Sequence, residues 1–511
     1  MTETVRIRLR PMGVDIEARR GTLLQDVLFA YGVEFPCGGH GKCKGCRVRV
    51  LEGSLPISPA QERMLSPAER EAGWRLSCQC RADGDLTLEL AQWEAQILAD
   101  TSSFAFSPAN GFGIAVDIGS TTLVAQLLDL TRGEVLAVRS ALNTQARFGA
   151  DIMSRVAYAM EPGGHAKLVS VLRTQVGKMV SELLEASPVP ASPLTDIVLV
   201  GNSVMHHLFC ALDVSPFSHY PFESGTLAQK DFTARELGWE TPGNPRVRFL
   251  PCIGGFVGSD ILAGIFATGL HESSDPLVLV DLGTNGEIVV GNRDRIICAS
   301  TAAGPAFEGA RIYMGMRAAT GAVSAVSVEE GMLVCHVLGN VPPRGICGSG
   351  LVDAVASALE LGRIKPGGRF VDGAPSLMLC PPVKISQTDI RELQLAKGAI
   401  AAGIRLLIRE FGISRDDVAR VLLAGAFGNY VDTGSARRIG LLPFASDQIH
   451  PSGNTALLGA KMALFIPPDR LDTLARRIQH VSLSELEGFQ DTYVEEMLFP
   501  DPSDLADHSA P

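Results

Sequence analysis

The chain lacks the uninterrupted apolar run of roughly 18 to 20 residues that crosses a bilayer, and it opens without the basic segment and apolar stretch of a leader. A cytoplasmic protein with no membrane contact is therefore expected. Excess basic charge is also missing: 45 Lys and Arg face 56 Asp and Glu, a formal net charge of −11, which disfavours a nucleic-acid partner. Disulfides are not expected, because most of the 11 cysteines are scattered and no secretory signal accompanies them. What the chain does have is length, 511 residues, enough for about three folding units. The end, FPDPSDLADHSAP, has no periodicity, so a disordered tail is expected over residues 498–511.

The cysteines that are not scattered lie near the amino terminus: Cys37, Cys43 and Cys46 in CGGHGKCKGC, and Cys78 in RLSCQC. Three thiolates in a C-x5-C-x2-C run, with a fourth about thirty residues on, suit a 2Fe-2S cluster, which needs four soft ligands and a loop that wraps closely around it. Gly38, Gly39, Gly41 and Gly45 give that loop its freedom. A structural zinc site is the competing reading, although zinc ligands usually come as two C-x2-4-C knuckles. Around the loop, VRIRLRPMGVDIEARRG alternates as a hairpin does, TLLQDVLFAYGV reads as a short helix and DLTLEL as a closing strand. Together residues 1–91 resemble a β-grasp ferredoxin with the spacing of the adrenodoxin-like branch, one residue longer than the plant-type pattern. Cys80 rivals Cys78 as fourth ligand, and the R-L-x-C-Q ending of the ferredoxin pattern favours Cys78. Residues 1–90 hold 13 Lys and Arg against 12 Asp and Glu. Lys42, Lys44, Arg47 and Arg49 in or beside the loop read either as a basic rim for an acidic redox partner or as ordinary solvated charge.

Residues 92–111 are small, polar and turn-forming, and are expected to be a linker on which the ferredoxin swings. At Gly113 begins GIAVDIGSTTLVAQLLDL, an apolar strand, a tight D-x-G-S-T-T turn and a second strand, and LVLVDLGTNGEIVV repeats the design from Leu277. Turn amides in such a hairpin can cradle phosphates, and the aspartate can hold magnesium, commonly through water. Two copies imply a duplicated fold. A third run, VLLAGAFGNY, brings a strand into a small-residue turn. In this order the three runs resemble the phosphate and adenosine motifs of the ATPase superfamily of actin, sugar kinases and heat-shock chaperones. The expected architecture is therefore α+β and α/β multidomain: the ferredoxin, then a duplicated actin-like (ribonuclease H-like) ATPase with subdomains at 112–275 and 276–497.

The order of domains, together with the runs NTQARFGADIMSRV, VGNSVMHHLF, GGFVGSDILAG, GICGSGLVDAV, LQLAKGAI, LLAGAFGNY and GNTALLGAKMAL, resembles the reductive activators of corrinoid proteins over nearly the whole chain. Some members of that family carry a further domain between ferredoxin and ATPase, for which this chain has no room. The resemblance implies an ATP-driven electron transfer from the cluster to inactive Co(II) of a corrinoid-binding methyltransferase protein, restoring Co(I), with an electron donor protein or reductase reloading the cluster. A ferredoxin-type cluster lies near about −400 mV, and each further 100 mV of deficit asks for about 2.3 kcal/mol of coupled work, within reach of nucleotide binding. Oligomeric state stays open, a homodimer included.

The implied roles are residue-specific. Cys37, Cys43, Cys46 and Cys78 hold the cluster. Asp117 and Asp281 organise Mg2+. Gly119, Ser120, Thr121 and Thr122 form the first phosphate turn, and Gly283, Thr284, Asn285 and Gly286 the second. Gly425, Ala426 and Gly428 pass under the nucleotide, with Lys397 on an adenine-contacting helix and Gly304, Gly348 and Ser349 as further nucleotide contacts. Asp151 and Glu287 are candidates to orient the attacking water, with helix capping or ion pairing as the plainer reading. Asn202 is a candidate cleft residue or a backbone cap. His206, His207 and Cys347 are read chiefly as packing residues. Two further functions are weighed: activation of another low-potential enzyme, such as a dehydratase, whose activators lack a fused ferredoxin, and a redox- and nucleotide-sensing regulatory protein. Sugar kinase activity is set aside, because a kinase has no use for a cluster.

Overall fold

The computed structural model describes residues 4–10, 14–28, 31, 33, 41, 46–90, 104–186, 193–283, 285–428 and 430–501. The expected amino-terminal hairpin is present. Thr4–Arg10 pairs antiparallel with Val14–Arg19 and parallel with Leu86–Leu90, which continues to Arg47–Glu52 and Trp74–Leu76. Alternation drives this sheet: Val5, Ile7 and Leu9 turn inward with Val48, Leu76 and Leu88, while the intervening Arg6 and Arg8 do not join that core. The short helix Leu24–Leu28 closes the core.

The rest of the chain builds the same sheet twice. In lobe I, Phe112–Ile118, Thr122–Asp129 and Glu134–Leu142 form an antiparallel meander, and the first of them also pairs parallel with Leu194–Val200, itself parallel to Arg246–Phe249. In lobe II, Leu277–Leu282, Gly286–Gly291 and Ile296–Thr301 repeat the meander, with Arg420–Ala424 and Ile449–Gly453 in the parallel places. The central strands Phe112–Ile118, Leu277–Leu282 and Arg420–Ala424 are largely apolar and buried, as strands covered on both faces require, whereas Ile449–Gly453 at the sheet edge is polar and mostly unburied. Against the sheets pack the long helices Gly164–Ala186 in lobe I and Gln387–Phe411 in lobe II.

Two shorter helices, Ser259–Ala267 and Thr455–Ala463, cross between the lobes. A Cβ at Gly459 would lie 2.2 Å from the Ala263 carbonyl, so glycine permits the crossing. One apolar core runs through both lobes here, from Ala115, Val198 and Ile261 to Leu279, Leu422 and Ala456.

Two sequence expectations change. Of the expected linker, residues 104–111 are docked: Phe104 meets Phe465 edge-on, Phe106 packs on it at a tilt, and Ala109 N–H donates to the Leu130 carbonyl at 2.9 Å. Of the expected tail, residues 498–501 are packed, with Phe499 buried and its N–H donating to the Pro366 carbonyl at 2.9 Å. Aromatic anchors among polar neighbours suffice, Phe104 and Phe106 in the first case and Phe499 alone in the second. Residues 91–103 and 502–511 lie outside the described residues. The ferredoxin rests on both lobes: Arg147 of lobe I pairs with Asp26, and Arg344 of lobe II donates to Glu89 at 2.8 Å.

Candidate nucleotide and cluster sites

Each meander begins with a strand whose last residue but one is an aspartate. Asp117 lies opposite Val200 in the neighbouring parallel strand, and Asp281 lies opposite Ala424. The turns that follow close alike, with Gly119 N–H donating to the Thr122 carbonyl at 3.0 Å and Gly283 N–H to the Asn285 carbonyl at 3.0 Å. A Cβ at Gly119 would stand 2.5 Å from that Thr122 carbonyl. Ser120, Thr121 and Thr122 are partly exposed at the tip of the first turn. Thr284 lies outside the described residues. Gly286 is tight for another reason, its missing side chain leaving room for Ile400 of the long helix.

The crossing helices bring each lobe to the other's aspartate. Asn454 caps Thr455–Ala463 by accepting from Leu457 N–H at 2.8 Å, and its Nδ2 donates to Asp117 Oδ2 at 3.0 Å. Asp260 opens the opposing helix and faces Asp281 and Asp117 electrostatically. Glu287 lies on the second hairpin beside Ser300 Oγ at 3.3 Å. Four partly buried carboxyls thus crowd one cleft. Desolvation, opposed by the Asn454 bond, raises Asp117 to about 6. Desolvation and Asp117 raise Asp281 to about 7. Desolvation, then Asp281, raise Asp260 to about 8, and burial followed by the charges of Asp260 and Asp281 pushes Glu287 far up. Such a group of carboxyls calls for a cation. Among the described residues no three such groups come close enough together to hold a metal ion directly.

Gly425 completes the cleft floor. It has φ +84°, and a Cβ there would lie 2.5 Å from Asp281 Oδ1, so the third motif runs hard against the second. Gly428 is buried against Leu423. For Ala426 only the backbone, in the short helix Gly425–Gly428, is described. Between the lobes opens a cavity of about 1370 Å³, lined by Thr121, Asp151, Asn285 and Gly304 among others.

Several other candidates carry hydrogen bonds that hold the fold, Asp151 among them although it also lines this cavity. Asp151 caps Ile152–Ala159, its Oδ1 accepting from Ser154 N–H at 2.7 Å. Asn202 caps Ser203–Cys210, accepting from Met205 N–H at 3.0 Å. Lys397 donates to the Leu498 carbonyl at 2.7 Å beneath the Phe499 ring, which ties down the carboxy-terminal segment and leaves an adenine contact without geometric support. Ser349 donates to the Ser324 carbonyl at 2.9 Å, and Gly348 is small because Phe307 O would lie 1.8 Å from a Cβ. His207 is held between Ser203 O and Ser224 Oγ, burial keeps His206 neutral with a value near 3, and Cys347 is buried, all as packing residues.

In the ferredoxin, Cys46 Sγ and Cys78 Sγ lie 3.3 Å apart and buried. That is far beyond a disulfide bond of about 2.05 Å, and near enough for both sulfurs to share one iron. Cys37 and Cys43 lie outside the described residues, as do Lys42 and Lys44. Cys80 is turned away. Its thiol donates to the Leu76 carbonyl at 3.3 Å and accepts from Gln61 Nε2 at 3.5 Å, and burial pushes it up to about 11. Arg47 is largely internal, beside Glu69 at 3.5 Å and over Trp74, and Arg49 approaches Glu89 at 3.6 Å, so this half of the basic rim is neutralised within the domain.

Sequence reasoning missed Asp260 and Asn454. A local signal existed, since each opens a helix whose glycine, Gly264 or Gly459, allows the close crossing.

A β-grasp domain with converging thiols, joined to a two-lobed actin-like fold with a carboxylate-lined cleft, defines an iron-sulfur ATPase. Sequence families agree along the chain: a 2Fe-2S iron-sulfur cluster binding domain matches residues 7–83, the RACo middle region 112–273, and the C-terminal domain of RACo, the ASKHA domain, 275–509. The corrinoid activation enzyme RamQ of Eubacterium limosum is 30% identical over 95% of this chain and 98% of its own length. The Co(II) methylated amine-specific corrinoid protein reductase of Methanosarcina barkeri is 29% identical over 76% of this chain and 77% of its own. A solved reductive activator for corrinoid,iron-sulfur protein superposes with a TM-score of 0.69 at 27% identity, covering 97% of this chain and 98% of that one. The chain belongs to the family of corrinoid reductive activators.

Proposed function

We propose that this protein uses ATP to return Co(II) of a corrinoid protein to Co(I), with the ferredoxin within residues 1–91 as electron carrier and the lobes at 112–275 and 276–497 as the nucleotide clamp. The observation that carries the reading is one chain in which paired buried thiols lie in a domain resting on both lobes of a fold whose hairpin carboxyls cluster. When bound, the cluster supplies one-electron chemistry and Mg-ATP supplies binding energy that the lobes can convert into movement.

The chain's own residues then have these parts. Cys37, Cys43, Cys46 and Cys78 ligate the cluster, and Cys80 is a packing thiol. The turn amides at 119–122 and 283–286 receive phosphates, with Gly425, Ala426 and Gly428 under the nucleoside. Asp281, Asp260 and Glu287 form the magnesium side: Asp281 raises Asp260, both raise Glu287, Asp117 raises Asp281, and the cation removes that charge cost. Asp117 is positioned by Asn454. The partner is a corrinoid-binding methyltransferase protein, and a separate electron donor protein reloads the cluster. An acidic chain without any helix long and apolar enough to cross a membrane, among the described residues, supports a cytoplasmic setting without nucleic acid.

The test is anaerobic visible spectroscopy of a Co(II) corrinoid protein mixed with this protein and a low-potential reductant. The Co(I) spectrum is expected only with both this protein and Mg-ATP. A reduced cluster with cobalt left as Co(II) under every condition overturns the reading.

A further inference from the structure

Work done at the nucleotide has to reach the thiols, and one short segment touches both the first phosphate turn and the ferredoxin. Strand Glu134–Leu142 ends at Asn143, which is fully buried. Its N–H donates to the Thr121 carbonyl at 2.9 Å, and its Nδ2 donates to the Gly119 carbonyl at 2.9 Å, so one side chain and its own amide grip the back of the first phosphate turn. Its Oδ1 accepts from Gln145 N–H at 3.0 Å and thereby caps the 3-10 turn Thr144–Arg147.

That turn faces the ferredoxin. Leu142 and Ala146 pack against the ferredoxin's apolar core, and the Arg147 guanidinium pairs with Asp26 on the helix Leu24–Leu28. The helix begins at Leu24, whose N–H donates to the Cys80 carbonyl at 3.0 Å, two residues from Cys78. The segment is stiff as well as continuous. Gln175 of the long lobe I helix accepts from Thr144 N–H at 2.9 Å and from its hydroxyl at 2.6 Å, and donates to the Leu142 carbonyl at 2.6 Å. Phosphate drawing on the turn amides therefore pulls carbonyls whose other ends are fixed to this segment.

We infer that residues 143–147 form the coupling segment between the nucleotide cleft and the ferredoxin, with Asn143 as a positioning residue and the Arg147–Asp26 pair as its far contact. The inference deepens the function proposed above and rests on it for its purpose, while its physical content is a response of the ferredoxin to nucleotide. Coupling of this kind requires a differential contact between two states and not mere proximity.

The experiment uses the full, cluster-loaded chain under anaerobic conditions. Hydrogen exchange of amides 22–28 is followed with and without Mg-ATP, alongside the cluster's visible spectrum, ATP hydrolysis and Co(I) formation. Asp26→Arg sets two positive charges against each other outside the nucleotide site. It is expected to keep cluster absorbance and unstimulated ATP hydrolysis while losing the nucleotide-dependent exchange change and about fivefold of ATP-stimulated Co(I) formation, the lower end of ordinary coupling. Arg147→Asp is expected to lose the exchange response likewise, and the swapped pair D26R with R147D to regain it. Asp26→Asn serves as the milder variant should the reversal disturb folding. Full nucleotide response in both single variants overturns the inference, as does a swapped pair that regains nothing. Wild-type protein that shows the exchange response but never yields Co(I) sinks the corrinoid reading and leaves the coupling segment standing.

Discussion

The two lobes share a sheet and a hairpin but treat the hairpin aspartate in opposite ways. Asp117 accepts from the neutral amide of Asn454 at the helix of the other lobe, whereas Asp281 acts by like charge on Asp260 and is itself raised by the charge of Asp117. One aspartate is satisfied by protein. The other is crowded by like charge, with Gly425 pressed against it. A duplicated fold gives both sites the same backbone, so the difference rests on one residue at the start of each crossing helix, a donor in one and an acid in the other. The adjoining turns differ in the same spirit. After Val200 the chain turns into the fully buried helix Ser203–Cys210, while after Ala424 it makes a short helix of small residues. Asn202 therefore occupies the lobe I counterpart of the adenosine motif, where it serves as a cap.

The comparison is broken most directly at the aspartates. Asp281→Asn is expected to lower ATP-stimulated Co(I) formation by about 10²- to 10³-fold, the effect of deleting one preorganised charge contact, with cluster absorbance retained. Asp117→Asn keeps a polar partner for Asn454 and is expected to lose about tenfold. Equal losses, measured in the same cobalt assay, mean that both hairpins hold the cation alike.

Exchanging the crossing residues sharpens it further. Asn454→Asp gives lobe I the crowding of lobe II, and thermal unfolding in chelator is expected to report a loss of roughly 2 kcal/mol, recovered by Mg2+. Asp260→Asn is expected to do the reverse, raising the melting temperature without metal and weakening Mg2+ affinity about tenfold. The sign follows from its raised value of about 8 against an ordinary 3.8. The unfolded chain releases this proton first, so its contribution to stability falls as pH rises from about 4 to about 8. Metal-free unfolding across that window is expected to flatten in Asp260→Asn, and an unchanged slope defeats the assignment.

How much of this was legible follows from how local each feature is. The hairpins were readable because an apolar strand, an aspartate and a glycine turn are contiguous, and the approach of Cys78 to Cys46 because the R-L-x-C-Q run singles out Cys78. Asn454 and Asp117 are 337 residues apart, and only the packing of the lobes joins them. The same limit affects charge. Arg47 and Arg49 read as a rim until Glu69 and Glu89 arrive from other elements. The capping by Asp151 had a visible sign, the Ser154 three residues on that completes a capping box. Phe104, Phe106 and Phe499 were passed over because single aromatics in polar stretches make no periodic pattern.

The smallest effect concerns the long helices that back each sheet. In lobe I, Gln175 pins residues 142–144 beside the ferredoxin. In lobe II, Gln394 donates to the Met497 carbonyl at 2.9 Å and Lys397 to the Leu498 carbonyl at 2.7 Å, pinning the carboxy-terminal segment instead. The same kind of helix thus carries the coupling segment in one lobe and closes the chain in the other. Burial lowers Lys397 from 10.5 to about 8. Between those values the unfolded chain binds the proton and the folded one does not, so stability from this group rises with pH from about 8 to about 10.5. Lys397→Met removes the charge at similar volume. It is expected to shift stability on the order of 1 kcal/mol at neutral pH and to abolish the alkaline rise, with ATP-driven Co(I) formation unchanged. Loss of Mg-ATP affinity in that variant, measured by calorimetry, would restore the adenine contact that its hydrogen bond to Leu498 argues against.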